Sequence, residues 1–193
     1  MADGAATRRR LLDAAAAEFS RHGIAGARVD RIAAAAPANK AQIYAWFDSK
    51  DGLFDAVFRE HLTLIVDLVP FDATDLPGYA VRLYDAYLER PGVVLLATWA
   101  RLERVPTGDL LVAATEEVVA KHAAIAEAQA GGTIDPGPSP SDVYAMVIAL
   151  SMAWSPASVT VAASPDDDPA EHDRRRRALA AAVHGAFTPR ARA

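Results

Sequence analysis

Apolar and polar positions along this chain follow a period near 3.6 residues, and glycine and proline interrupt the pattern where it breaks. Leu11, Leu12, Ala15, Ala16 and Phe19 recur at helical spacing and predict a helix over about 7–22, with Gly23 as its stop. Val29, Ile32 and Ala33 mark a short helix over 28–35. Ala36-Pro37-Ala38 is a break of turn length, after which Asn39 is a good N-cap for a helix ending at Phe47. Asp48-Ser49-Lys50-Asp51 opens a longer helix, and its stripe of Leu53, Phe54, Val57, Phe58, His61, Leu62 and Ile65 runs until Pro70.

The same periodicity continues beyond that proline. It predicts helices over 79–89 (Leu83, Tyr84, Tyr87, Leu88) and 93–104 (Leu95, Leu96, Trp99, Leu102), then an alanine-rich helix over 109–130. A helix over 141–154 is capped by Ser141, and a last one covers 170–187. Proline-bearing residues 131–141 and the acidic residues 164–169 are loops. Val159-Thr160-Val161 is too short to seed a sheet without a partner run, so the fold class is all-α.

Length allows one large domain or two small ones: 193 residues, 52% of them apolar. No apolar run approaches the ~18 residues of a membrane span. Met1-Ala2-Asp3-Gly4 lacks a signal pattern, and the chain has no cysteine, so a cytoplasmic setting is expected, with no disulfide or thiolate metal site. The net charge of −5 is unevenly spread. Residues 1–60 carry nine Lys and Arg against eight Asp and Glu; the remainder carries eleven against seventeen. The acidic excess belongs to the later part, which leaves a local basic patch near the start open.

The helix over 39–47 has the most specific chemistry. With Ile43 and Phe47 inward, Ala41, Gln42 and Ala45 fall on the far side. Lys40 and Tyr44 sit on one shoulder, with Trp46 nearer the other. Gln pairs bidentately with adenine, alanine methyls touch thymine methyls, and Lys and Tyr hold phosphates. Two short helices joined by a tight turn, the second polar outside, form a helix-turn-helix pattern. Arg8, Arg9 and Arg10 occupy a first helical turn that disfavours cations, and phosphate contact is one explanation.

Leu11-Leu12-Asp13-Ala14-Ala15, Phe19, Gly23, Val29-x-x-Ile32-Ala33 and Lys40-x-x-Ile43-Tyr44-x-x-Phe47-x-x-Lys50-x-x-Leu53 together resemble the N-terminal domain of TetR-family transcriptional repressors. The resemblance implies a helix-turn-helix domain over about 1–47, linked by the helix over 50–68 to a larger effector-binding and dimerisation domain within 50–193. It implies phosphate contacts from Lys40, Tyr44 and Lys50, while Gln42 is the base reader on chemical grounds. Arg28, Asn39 and Trp46 complete the expected DNA-contact set. Pro37 departs from the family's usual glycine, and proline's locked φ predicts that the turn takes another route.

The resemblance also implies an effector pocket and a two-fold dimer of the last helices. For an apolar pocket with a few polar groups the candidates are His61, Tyr84, Tyr87, Trp99, Met146 and Trp154. For pairing with a second copy they are Val143, Val147, Leu150, Leu179, Val183 and Phe187. Arg174-Arg175-Arg176-Arg177 reads as a solvated helix face, or as partners for acids between Asp166 and Asp173. The five histidines show no metal spacing, and no nucleophile elbow, P-loop or dinucleotide motif occurs, so neither a catalytic site, a metal nor a cofactor is expected. The expected function is a homodimeric repressor of double-stranded operator DNA, released by an unidentified small hydrophobic ligand. The alternatives are a DNA-binding regulator without a small-molecule effector and a helical ligand-binding module.

Overall fold

The computed structural model describes residues 2–111 and 115–189, and among them the regular structure is helical throughout. The helices are α1 (Ala2–Gly26), α2 (Val29–Ala35), α3 (Lys40–Phe47), α4 (Lys50–Val66), α5 (Leu76–Glu89), α6 (Pro91–Glu103), α7 (Thr115–Ala130), α8 (Pro140–Ser151) and α9 (Pro169–Phe187). The all-α expectation holds. By packing, the chain forms two compact units: Met1–Ile65 with Gly92–Ala113, and Val66–Pro91 with Ala114–Ala193. Helix α4 begins in the first and ends in the second.

The first unit is built on the apolar faces that the sequence periodicity marks. Leu11, Leu12, Ala15 and Phe19 of α1 are fully buried, together with Ile32 of α2, Ile43 of α3 and Leu53, Phe54 and Val57 of α4. Phe19 meets Phe54 edge to face, with ring centroids 5.2 Å apart, a geometry that adds to area burial. Leu96 and Ala100 of α6 close the same core, although they lie far along the chain.

Gly23 shows why α6 belongs here. It breaks α1 with φ 68° and ψ 179°, in the region glycine adopts without a Cβ penalty. A Cβ at this position would lie 2.8 Å from the Glu103 carboxylate and 3.1 Å from the Trp99 ring. The break frees two backbone amides, and Glu103 takes both: Ile24 N–H and Ala25 N–H donate to its two oxygens at 3.1 and 3.0 Å. Trp99 Nε1 donates to the Ser20 carbonyl at 3.3 Å, and Arg104 grips the Asp55 carboxylate through both oxygens at 2.7 and 2.9 Å. Leu102, which the sequence pattern counts in the apolar stripe of α6, is 63% exposed; Val93 and Val94 are buried in its place.

In the second unit α5 packs against α8 and α9, and α8 also packs against α7 and α9. Tyr79, Ala80, Leu83 and Tyr84 of α5 are buried in this unit, as are Ile125 of α7, Val143 and Val147 of α8, and Leu179 and Val183 of α9. Lys121 of α7 is itself buried; its ammonium donates to the Val66 carbonyl at 2.5 Å and to Asp67 at 2.7 Å. A cation at the C-terminal carbonyls of a helix is favoured by the helix dipole, so Lys121 fastens the end of α4.

Some element bounds depart from the periodicity. Ser139, not Ser141, caps α8 by accepting the Asp142 N–H at 3.1 Å, because Pro140 occupies the first helical turn, where it suits the helix. Helix α8 ends at Ser151 rather than 154, and α7 starts at Thr115 rather than 109. Near that expected start the Asp109 carboxylate accepts the Leu111 N–H at 2.7 Å, a local turn that competes with helix; residues 112–114 lie outside the described residues.

Candidate DNA interface

Helix α3 is held from both ends. Asn39 Oδ1 accepts the Ala41 N–H at 2.9 Å, the side-chain cap expected of it. At the other end Asp48 takes φ 67° and returns its N–H to the Tyr44 carbonyl at 2.8 Å. Ser49 then caps α4 through the Gly52 N–H, and a Cβ on Gly52 would stand 2.2 Å from the Phe47 carbonyl, so α4 crosses α3 where glycine alone fits. Ile43 and Phe47 are buried beneath α3.

The outer face of α3 is what the sequence leads one to expect. Lys40, Ala41, Tyr44, Ala45 and Trp46 are exposed, Tyr44 by 42% and Trp46 by 38%, and Gln42 is half-buried. Trp46 stands edge to face with Phe47, with centroids 6.4 Å apart, which gives it a fixed orientation on its flank. Arg8 of α1 places its guanidinium 5.5 Å from the Phe47 ring centroid and lies 3.6 Å from Glu60. One of the three N-terminal arginines thus stands beside the end of α3.

The turn before α3 differs from the expectation. Instead of rerouting, it keeps positive φ at the position of the usual glycine: Pro37 sits at φ 25°. The reason is the hydrogen bonding of the helix end. Ala38 N–H reaches back to the Ala33 carbonyl at 2.9 Å, the long bond of a Schellman cap, which demands a left-handed residue between. Proline cannot donate the companion bond, so the cap is half made and the ring stands far from its preferred φ.

Several expected contact residues already have protein partners. Arg28 is the N-cap of α2 without a side-chain cap bond; its backbone N–H donates to Glu18 at 2.9 Å and its side chain is exposed. Burial alone would raise Glu18, but hydrogen bonds from Arg31 and from the Arg28 amide, with the Arg31 charge, hold its carboxyl below the usual range. Lys50 directs its ammonium to the Ala25 and Ala27 carbonyls at 3.1 and 3.3 Å, tying down the link between α1 and α2. Lys40 is bound to Asp30 at 2.8 Å, and that hydrogen bond, followed by the Asp30 charge, raises the lysine above its ordinary value. Neither Asp30 nor Glu18 has a sequence signature at this site, because their partners lie at separations without a fixed period.

The expected pocket residues come together in part. Tyr84, Tyr87 and Trp154 line a cavity of about 40 Å³ in the second unit, with Ser151 and Ser155 among the other lining residues. Trp154 lies edge to face with Tyr84, and the Tyr84 hydroxyl hydrogen-bonds His172 Nδ1 at 2.7 Å. The other three lie elsewhere. Trp99 is in the first unit against Gly23, His61 bonds the Val57 carbonyl of its own helix, and Met146 is 41% exposed on α8.

The expected pairing residues are mostly interior: Val143, Val147, Leu179, Val183 and Phe187 are buried within the single chain, and Leu150 is half-buried. The opposite faces carry small side chains, with Ala145 and Ala149 exposed on α8 and Ala178, Ala182 and Gly185 on α9. Three of the four consecutive arginines are paired with acids, and Arg177 is exposed. Arg175 is buried against Asp167 at 2.6 Å, Arg174 pairs with Glu171, and Arg176 bridges Asp85 and Asp173.

A capped short helix with a small, polar outer face, preceded by a second helix across a tight turn and carried on an all-helical chain, defines a helix-turn-helix transcriptional regulator. Residues 11–57 match the family described as bacterial regulatory proteins, tetR family, and residues 75–184 match the tetracyclin repressor-like C-terminal domain. The chain belongs to the tetR family. It is 39% identical to the HTH-type transcriptional repressor SCO4008 of Streptomyces coelicolor over 154 residues, 78% of this chain and 80% of that protein. Among solved structures it is similar to SCO4942 of Streptomyces coelicolor, described as a transcriptional regulator. That likeness has a TM-score of 0.78 and 40% identity, and covers 94% of this chain and 98% of the other. A regulator from Saccharomonospora viridis, solved in complex with choline, shares the fold at TM-score 0.64 and 19% identity, over 95% of this chain and 98% of its own. Among the described residues no helix is long and apolar enough to cross a membrane.

Proposed function

We propose that the chain acts in the cytoplasm as a homodimeric repressor, placing two copies of α3 in successive major grooves of an operator. The exposed face of α3, with Ala41, Tyr44, Ala45 and Trp46 outward and Gln42 at its edge, is the observation that carries this reading. Gln42 reads a base, Tyr44 and Lys40 hold phosphate, and Arg8 and Arg28 add charge at the flanks. Two half-sites about one helical turn or more apart then require a dimer. The small-residue faces of α8 and α9 supply its surface, with Met146 exposed on α8 beside them, since Val143, Val147, Leu179, Val183 and Phe187 are already covered within the chain. The function rests on binding rather than catalysis.

A gel shift with duplex from upstream of the chain's own gene tests the reading. The parent protein is expected to bind, and Gln42→Ala to relax discrimination at one base position by ~1–3 kcal/mol. If Gln42→Ala ranks every operator variant as the parent does, Gln42 is not the base reader.

For regulation, the aromatic cavity formed by Tyr84, Tyr87 and Trp154 is where a small, mainly apolar effector enters. Its size favours a second reading as well. At about 40 Å³ it has room for no more than a few waters, so an organic effector must displace the residues between α8 and α9 to enter. In the second reading the unit serves dimerisation and a protein partner sets activity. A ligand that raises the melting temperature and lowers operator affinity together decides for the first.

A further inference from the structure

We infer that Asp30 sets the DNA affinity of this repressor by competing with backbone phosphate for Lys40. The inference rests on the reading of α3 as the helix that meets DNA. Lys40 opens α3 and Asp30 lies in the first turn of α2; their side chains meet at 2.8 Å, both largely exposed to solvent. Tyr44 lies one helical turn beyond Lys40 and is likewise exposed. The cation on this shoulder of the outer face therefore reaches duplex DNA already neutralised by a carboxylate.

Binding must then exchange partners. Lys40 leaves Asp30 for a phosphate oxygen, and the carboxylate remains beside the polyanion without its counter-charge. The exchange has two consequences. The affinity gained from the lysine–phosphate contact is reduced by the carboxylate interaction it replaces. The release of condensed cations from DNA is offset too, because a bare carboxylate recruits a cation as the lysine departs. Neither effect depends on base sequence, so Asp30 scales binding to operator and to unrelated duplex alike. Two other acids of the first unit are engaged elsewhere: Glu18 by Arg31 and the Arg28 amide, and Asp55 by Arg104.

The test is a double-mutant cycle on the full-length protein. Asp30→Asn, Lys40→Gln and the double variant are titrated against random-sequence duplex over a range of salt concentrations. Asp30→Ser is a second variant that removes the charge while keeping a side chain suited to a helix start. With Lys40 present, removing the carboxylate is expected to tighten binding about two- to fivefold. The log–log salt slope is expected to steepen by up to about one unit. In the Lys40→Gln background the gain should vanish.

An equal gain in both backgrounds would overturn the inference, since Asp30 would then act as a distant charge. Weakening by Lys40→Gln with no effect of either Asp30 variant would overturn the inference alone. No effect of Lys40→Gln would remove the phosphate role of α3, and the inference with it.

Discussion

Pro37 is the residue at which a local rule and the helix-turn-helix geometry disagree most sharply. The cap at the end of α2 needs a left-handed residue, and the sequence supplies the residue least able to become one. Glycine takes positive φ without a ring or Cβ penalty, while the wider freedom it gives the unfolded chain opposes by about 0.4–1 kcal/mol. Pro37→Gly is therefore expected to raise the urea midpoint at constant m-value. It also restores an N–H for the missing companion bond. An unchanged or lower midpoint would mean that strain at the proline does not outweigh that freedom. The residues of α3 were legible by contrast, since Asn39, Ile43, Phe47 and Tyr44 all follow from capping and a 100° step. What the chain did not disclose was the company each cation keeps. Asp30 with Lys40, and Glu18 with Arg31, meet by the folding of one helix against another, which no local spacing records.

At the scale of elements, helix existence was readable and helix allegiance was not. Periodicity identified α6 but could not assign it to the first unit, because Leu96, Ala100 and Glu103 find their partners about 80 residues away. The apolar stripe of α8 and α9 was equally visible, yet it fills the chain's own interior rather than awaiting a second copy. The segment between these two helices is fastened by polar ties. Asp167 receives Arg175 at 2.6 Å and the Ser164 N–H at 3.1 Å, and Ala163 N–H reaches the Trp154 carbonyl at 2.8 Å. The hydrogen bond from Arg175, then the Ser164 amide, hold the Asp167 carboxyl below its usual value, against a smaller opposing effect of burial. A lowered folded-state pKa contributes stability above the ordinary aspartate range, and that contribution is lost as pH falls through the folded value. Acid should thus loosen this segment below about pH 4, the ordinary aspartate range. Amide hydrogen exchange at Ala163 and Ser164, corrected for intrinsic rates, is expected to speed up there, and Asp167→Asn to show fast exchange at neutral pH as well. Acid-insensitive exchange in the parent would refute this.

For the whole molecule, the proposed two-fold assembly sets the small-residue faces of α8 and α9 against a second copy. Ala149→Arg and Ala182→Arg each place a long cation on the small-residue faces of α8 and α9 without touching the buried side of either helix. Either change is expected to give monomers by sedimentation at micromolar concentration and to weaken operator binding at least tenfold, with the melting curve of the unit otherwise kept. Dimers that persist in both variants would move the pairing surface elsewhere. The apolar residues expected to pair, Val143, Val147, Leu179, Val183 and Phe187, are buried within the single chain, which leaves the opposite faces of α8 and α9 for the proposed assembly. A hydrophobic stripe marks what is buried, and it does not say by which molecule.

Glu103 and Trp99 also determine how such a regulator can be cut and recombined. Severing the chain just after α3 or α4 would strip the reading head of its amide clasp and of the aliphatic lid provided by Leu96 and Ala100. A graft onto a foreign sensor therefore has to carry α6 along with the first four helices. The portable cassette of this chain is discontinuous, so an end-to-end fusion made after α4 is expected to lose the contacts that α6 supplies.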